Sequence, residues 1–312
     1  MPIQRVVVAV LVLTLLPAAC GGSGAKPVAN STRSAAKPAR RALYITTTSG
    51  TTRSPVLVLV NGGPGLGHAY LRPLAASLAS PSLRVAMYDQ RGVGRSPAPP
   101  NDDYSLIAYV RDLESVRRSL GVARMALLGH SWGGLVAAGY AAHYPHRVSA
   151  LVLVDAQPVN QHVSAAGDTH FAAHVQHLQR VGLLPRQLPS NRGDDCSRSF
   201  AAIIPAYLAR PARHIPNSLR TWTCSVHAGQ RTSAQLRGTA DLLVSLTHYT
   251  GPALVIVGAD DPFGAAWPRA IVRELPRART QLRTISAAGH FPWAESPRFA
   301  VIVRRYLQHG VR

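Results

Sequence analysis

Five short, almost unbroken apolar runs, separated by stretches of helical composition, constrain this chain more than any other feature. They are 55–60 (PVLVLV), 83–88 (LRVAMY), 124–129 (RMALLG), 148–155 (VSALVLVD) and 252–258 (PALVIVG), followed by a more polar strand-like run at 280–286 (TQLRTIS). Tyr70–Ala79, Tyr104–Leu120, Trp132–Tyr144, Ala266–Leu275 and Glu295–Gln308 have helical composition. Strands apolar on both faces need cover on both faces, so the alternation predicts an α/β fold, a mostly parallel sheet between layers of helices. The alternation stops at Asp155 and resumes at 252. The intervening stretch, 156–250, is rich in His, Gln, Arg and Pro and reads as an inserted helical cap on a core of 41–155 and 251–312.

Ahead of the core, residues 1–40 read as an export leader and tether. Arg5 is followed by an apolar stretch, Val6 to Leu16, interrupted only by Thr14, and then by PAAC. That stretch is too short to span a bilayer comfortably and ends in small residues, as a signal peptide does. Cys20, directly after PAA and before GGSG, resembles a bacterial lipoprotein box, although Pro17 stands where leucine is usual. A lipidated Cys20 anchored to the cell envelope is the favoured reading, and plain secretion with cleavage near Ala19 is the alternative. The Gly-, Ser-, Ala-, Pro- and Lys-rich segment 21–40 would then be flexible.

The net charge of +20 in 312 residues could suggest nucleic acid, but its distribution argues otherwise. Residues 1–41 hold six Lys or Arg and no acid, so the other 28 basic residues face all 14 acidic ones. Beyond Lys37 every basic residue other than histidine is a scattered arginine, with no basic run and no aromatic interleaving. That pattern fits a solvated surface attracted to anionic material in general better than a phosphate-tracking stripe.

Export leaves Cys196 and Cys224 as an even remainder in an oxidising compartment, and a disulfide between them is the simplest reading. His170, His174 and His177 share one helical face, a spacing that could ligate zinc. With no carboxylate ligand nearby, a polar cap surface is the better reading, and no metal is expected.

The run 124–129 leads into LLGHSWGGL (127–135), where Gly129-His130-Ser131-Trp132-Gly133 has G-x-S-x-G spacing. Glycines two before and two after the serine remove Cβ atoms that would clash in a sharp strand-to-helix turn. Such a turn lifts Ser131 Oγ out of the sheet and offers the free N–H groups of a helix N-terminus to an oxyanion. A serine nucleophile requires a base and a group to orient that base. GADDP (258–262) and AAGHFPWAESP (287–297) both follow strands, where parallel sheets place active-site loops. His290 is the candidate base, and Asp261 or its neighbour Asp260 the orienter. NGGPGLG (61–67), after the first apolar run, can hold N–H groups at a fixed angle. The expected oxyanion donors are the backbone N–H groups of Gly63 and Trp132.

Three segments, in order and at similar spacing, resemble the proline iminopeptidase-like serine peptidases of the α/β-hydrolase superfamily. They are NGGPG (61–65), close to that group's HGGPG; DQRGVGRS (89–96), similar to its DQRGxGxS; and GHSWGG (129–134). The resemblance covers about 42–155 and 251–308. It implies the α/β-hydrolase fold, with Ser131 as nucleophile, Asp261 as orienter, His290 as base, and Gly63 with Trp132 as oxyanion donors. It also implies that Asp89 and Arg91 brace the surrounding loop. Asn61 stands where the group has histidine.

The group binds its substrate's α-amino group with cap carboxylates, usually glutamates. Here Glu occurs only at 114, 274 and 295, outside the cap, and RTWTCS (220–225) lacks the Glu that often follows the Trp. A desolvated ammonium needs a counter-charge, so Asp168, Asp194, Asp195 and Asp241 are the candidate substrate-binding acids. The chain is therefore expected to be an exported serine hydrolase acting through an acyl-enzyme, most simply an aminopeptidase on small peptides. An esterase or lactonase with the same triad is one alternative, and a non-catalytic binding protein of this fold is another. The mechanism calls for no cofactor.

Overall fold

β-Branched and leucine-rich segments bounded by turn residues form a seven-stranded sheet in the computed structural model, which describes residues 42–48, 50, 51, 53–211, 215–236 and 246–310. The strands are β1 (Ile45–Thr47), β2 (Val56–Val60), β3 (Arg84–Tyr88), β4 (Met125–His130), β5 (Val148–Val154), β6 (Pro252–Gly258) and β7 (Arg279–Ile285). Their order is β1-β3-β2-β4-β5-β6-β7, and every pairing is parallel except β1 with β3. The short antiparallel β1 is an edge strand that the apolar pattern did not announce. β7 forms the other edge. Its exposed Arg279 and Arg283 suit that place, because charge discourages pairing with another chain.

Alternation along β2 shows how the sheet builds two cores. Val56, Val58 and Val60 face one layer, with α2 (Leu106–Ser119) and α3 (Trp132–His143). Leu57 and Leu59 face the other, with α1 (Arg72–Leu78) and the C-terminal helix (Arg298–Gly310). α3 is buried on nearly every side from Trp132 to Ala141, as its apolar composition requires. The chain winds from β2 to β3 on one side and then crosses to β4 on the other. A crevice therefore opens at the carboxyl ends of β2 and β4, where such sheets bind ligands.

The segment between β5 and β6 is helical, with α4 (Gln161–Arg180), α5 (Ser197–Ile203) and α6 (Val226–Gln235). Asn160 caps α4 by accepting from the His162 and Val163 amides, and Ser225 caps α6 by accepting from the Ala228 amide. Phe171, Val175 and Leu178 of α4 form a small core with Phe263 and Trp267 from the region after β6, which seats this segment over the sheet. Among the described residues, no helix is long and apolar enough to cross a membrane. The leader, Cys20 and Asp241 lie outside the described residues.

Cys196 and Cys224 are joined by a disulfide across a separation of 28 residues. Reducing it, or replacing both cysteines with Ser, is expected to lower stability by about 2–4 kcal/mol through loop-closure entropy. The check is a thermal melt with and without reductant; an unchanged melting temperature would count against it.

Candidate active site

The bend after β4 places Ser131 at φ 54° and ψ −124°, a conformation L-residues rarely adopt. The surrounding glycines make it possible. A Cβ on Gly133 would lie 2.1 Å from the Val60 carbonyl oxygen, and one on Gly129 would lie 2.4 Å from the Gly133 oxygen. Ser131 is tied to β5 by its N–H to Val154 O (3.0 Å) and accepts the Gln157 N–H (3.0 Å).

His290 and Asp261 come from the loops after β7 and β6. His290 Nδ1 donates to Asp261 Oδ1 at 3.1 Å, and both side chains are buried. Asp261 Oδ1 also accepts the Phe263 N–H at 3.2 Å, which fixes its direction. Asp260 is exposed, so the choice between the two aspartates falls to Asp261 on contact with His290. The His290 N–H donates to Tyr207 O at 2.7 Å, and Glu295 accepts from the Gly289 and Ala209 amides at 2.7 and 2.9 Å. The histidine loop is thereby fastened to the cap.

Gly63 sits in the loop after β2. A Cβ built on its neighbour Gly62 would be 3.2 Å from the Ser131 Cβ, so this loop abuts the serine. Among the described residues, neither the Gly63 nor the Trp132 N–H is engaged with a backbone acceptor, and both residues line the same cavity as Ser131. Asn61 closes the loop on itself, its Nδ2 donating to Leu66 O at 2.6 Å. Asp89 accepts from His68 Nδ1 (2.7 Å) and the Arg95 N–H (3.0 Å). Arg91 pairs with Asp112 at 2.7 Å.

Several supports had no role read from the motifs. Gln90 donates to Asn61 O (2.8 Å) and accepts from Trp132 Nε1 (3.0 Å), linking the two loops that hold Gly63 and Trp132. Residues 223–225 pair with the loop after β2: the Gly67 N–H donates to Thr223 O and the Ser225 N–H to Gly65 O, each at 2.8 Å. The disulfide-bonded part of the cap thus braces that loop directly.

His130 Nε2 is 2.8 Å from the His290 carbonyl oxygen, which can only accept, so Nε2 carries the proton. Tyr70 then donates to His130 Nδ1 at 2.8 Å and accepts the Gly62 N–H at 2.7 Å. Burial first, then the neighbouring His290, holds the His130 pKa well below the usual imidazole range, which keeps it neutral in this chain of bonds. Tyr70→Phe is expected to lower stability by about 1–3 kcal/mol, since it leaves Gly62 N–H and His130 Nδ1 buried without partners. A denaturant melt checks this; a loss below a few tenths of a kcal/mol would contradict the bonding described.

A cavity of about 480 Å³ joins these groups. Ser131, His290, Gly63 and Trp132 line its floor, while Tyr207, Phe171, Phe263 and Trp267 supply aromatic walls. α4 presents Gln161, Ser164, Ala165 and Asp168, spaced as one helical face. Among the described residues, Asp168 is the only acid lining the cavity, and burial pushes its carboxyl up to about 6. Asp194 and Asp195 do not line it. Asp194 accepts from Ser225 Oγ (2.7 Å) and the His227 N–H (2.5 Å), and Asp195 is an exposed cap of the Ser197 N–H at 2.8 Å. His170 donates to Pro262 O at 2.6 Å, tying α4 to the Asp261 loop. Among the described residues, the only three metal-ligating side chains that converge are Asp155, Asp261 and His290, and the Asp261–His290 hydrogen bond already uses two of them.

A family model described as alpha/beta hydrolase fold matches residues 55–297, more than half of the chain. The chain belongs to this family. Among curated relatives, this hydrolase is similar to the proline iminopeptidase of Lactobacillus helveticus (strain DPC 4571), 39% identical over 102 residues, 32% of this chain and 35% of the relative. The chain thus matches about a third of that relative's length. Among solved structures, it is similar to a carboxylesterase of Nitrososphaera gargenis, with TM-score 0.61 and 20% identity over 86% of this chain and 94% of the other. The proline iminopeptidase of Mycobacterium smegmatis superposes with TM-score 0.55 and 21% identity over 86% and 94%. At these identities the two structures speak for the fold.

Proposed function

We propose that this alpha/beta hydrolase is a serine hydrolase that works through an acyl-enzyme on small substrates bearing a free amino group, most simply as an aminopeptidase. The observation that carries the reading is the placement, among the described residues, of Ser131, the Asp261–His290 pair and two unengaged backbone N–H groups on one cavity floor, with Asp168 above them. His290 Nδ1–H is held by Asp261, which leaves Nε2 to accept the Ser131 proton as Oγ attacks the substrate carbonyl carbon. The N–H groups of Gly63 and Trp132 receive the charge that develops on the carbonyl oxygen. As the tetrahedral intermediate collapses, His290 returns the proton to the leaving amine or alcohol. Water then repeats the sequence and frees Ser131.

Asp168 supplies the counter-charge that a substrate ammonium needs in an apolar cavity. Among the described residues it has neither an ion pair nor a hydrogen bond that would compete for it. Since its carboxyl is held up to about 6, it is ionised above that pH and neutral below. The kcat/KM for an unblocked aminoacyl-naphthylamide, divided by that for a neutral p-nitrophenyl ester, is therefore expected to fall as pH drops through about 6. The ratio cancels any pH dependence that both substrates share. Asp168→Asn should flatten the profile and raise KM for the amide about tenfold or more, while ester turnover changes little. A preference for N-blocked over free substrates would reject the aminopeptidase reading, and ester turnover alone would favour the esterase.

Export to the cell envelope is part of the same proposal. Its supports are the leader read above and the Cys196–Cys224 disulfide, which suits an oxidising compartment. Palmitate labelling that survives Cys20→Ala would reject the lipid anchor.

A further inference from the structure

Asp155 stands one residue beyond β5, beside the Asp261–His290 pair, and no step described above uses it. It is 3% exposed and adopts φ 41°, one of four positive values among described non-glycine residues; Ser131 has another. Strain of this kind persists where surrounding bonds over-determine a position. Here the Asp155 N–H donates to Ile256 O at 2.9 Å, and its Oδ1 accepts the Gly258 N–H at 2.9 Å. One oxygen each of Asp155 and Asp261 and a ring nitrogen of His290 lie within 4.8 Å of one another. The two carboxyl groups are within hydrogen-bonding reach. Yet, among the described residues, Asp155 Oδ2 and Asp261 Oδ2 are both buried with no donor on either.

Two acceptor oxygens left without donors, on carboxyl groups this close, are reconciled by one proton between the groups. The geometry points to Asp155 as a neutral carboxylic acid that donates through Oδ2 to Asp261, a positioning residue that fixes the Asp261 carboxylate toward His290. Like charges at this range cannot both persist in a buried site, and Asp261 is the better-supplied acceptor, since His290 Nδ1–H and the Phe263 N–H both donate to it. Among the described residues, the Asp155 side chain receives only the Gly258 N–H. Its burial, and after it the Asp261 charge, push the Asp155 carboxyl well above the usual range; Glu295 adds in the same direction. The titratable groups facing it are thus Asp261, His290 and Glu295.

The sign of the pH effect follows. A carboxyl whose folded pKa is raised stabilises the fold fully below the unfolded range, and that contribution is lost as pH rises toward and through the folded value. Asn at 155 keeps an oxygen for Gly258 N–H and an N–H for Asp261 without needing a proton from solution. The proposal rests on the serine hydrolase reading for its catalytic meaning, but its proton can be read without turnover.

The test compares wild type with Asp155→Asn by infrared difference spectroscopy at pH 7, thermal melts from pH 5 to 9, and ester turnover. A protonated-carboxyl stretch is expected in wild type and absent from the variant. The variant's melting temperature should gain on wild type as pH rises, and kcat should stay within about tenfold. A difference spectrum showing only carboxylate bands, or a loss of kcat at pH 7 beyond about tenfold, would overturn the assignment. If Asp155→Asn does not fold, wild type labelled with carbonyl-13C aspartate serves: one buried aspartate must remain un-ionised at pH 7.5, and its absence would overturn the proposal. Inactive wild type that keeps the infrared band would sink the hydrolase reading and leave the shared proton standing.

Discussion

Ser131→Ala is expected to lower kcat by about 10⁴-fold or more while leaving the fold and the melting temperature nearly unchanged. Among the described residues, other hydroxyl-bearing groups that line the cavity, such as Ser164 on α4 and Thr232 on α6, stand on the cap and do not replace Ser131. Alanine keeps the Cβ that already sits at φ 54°, so the backbone strain is the same in both proteins. The N–H to Val154 O and the bond from Gln157 are main-chain bonds at residue 131 and survive the change. Steady-state turnover of a p-nitrophenyl ester, with a melt as control, decides it. Residual activity within tenfold of wild type would remove Ser131 from the chemistry.

The second large effect is structural. Gly133→Ala would place a methyl carbon 2.1 Å from the Val60 carbonyl oxygen and 2.5 Å from that of Asn61. Both are backbone atoms at the end of β2, a fully buried strand paired on both sides. Neither can move without disturbing the sheet and the loop that carries Gly63. The expected cost is about 3 kcal/mol or more, which lowers the melting temperature by about 10 °C in a domain of this size. Gly121→Ala is the control, since nothing lies within 4 Å of its Cβ position and only its φ of 69° opposes a side chain. It should cost about 1 kcal/mol. A Gly133→Ala melt matching that of Gly121→Ala would contradict the packing described at the elbow.

The fold was legible because its signals are local. Five buried strands announced themselves as apolar runs, and the glycines around Ser131 reported a turn whose steric reason is now visible in Val60 and Gly133. Asp261 and His290 could be placed after their strands for the same reason, and only their mutual contact decided against Asp260. β1 was missed because two half-buried residues and an exposed one on an edge, Ile45 to Thr47, make no apolar run.

Pairings between distant segments left no such trace, even where one partner lies in a motif. Tyr70 and His130 are 60 residues apart, Gln90 reaches across 42 to Trp132, and Asp155 meets Asp261 only because β5 and β6 are neighbours. The cap acids show the same limit. Asp168, Asp194 and Asp195 are equivalent by composition, yet only the helical face of α4 aims one of them into the cavity. Asp194 instead caps the turn that braces the loop after β2.

The central claim, that this site acylates a serine, is tested most directly by a fluorophosphonate. The folded protein is treated with the reagent, digested, and the labelled peptide identified by mass spectrometry, with Ser131→Ala alongside. The expected result is one adduct, on Ser131, absent from the variant and prevented by prior heat denaturation. Folded wild-type protein that stays unlabelled, or carries its label elsewhere, would contradict the account.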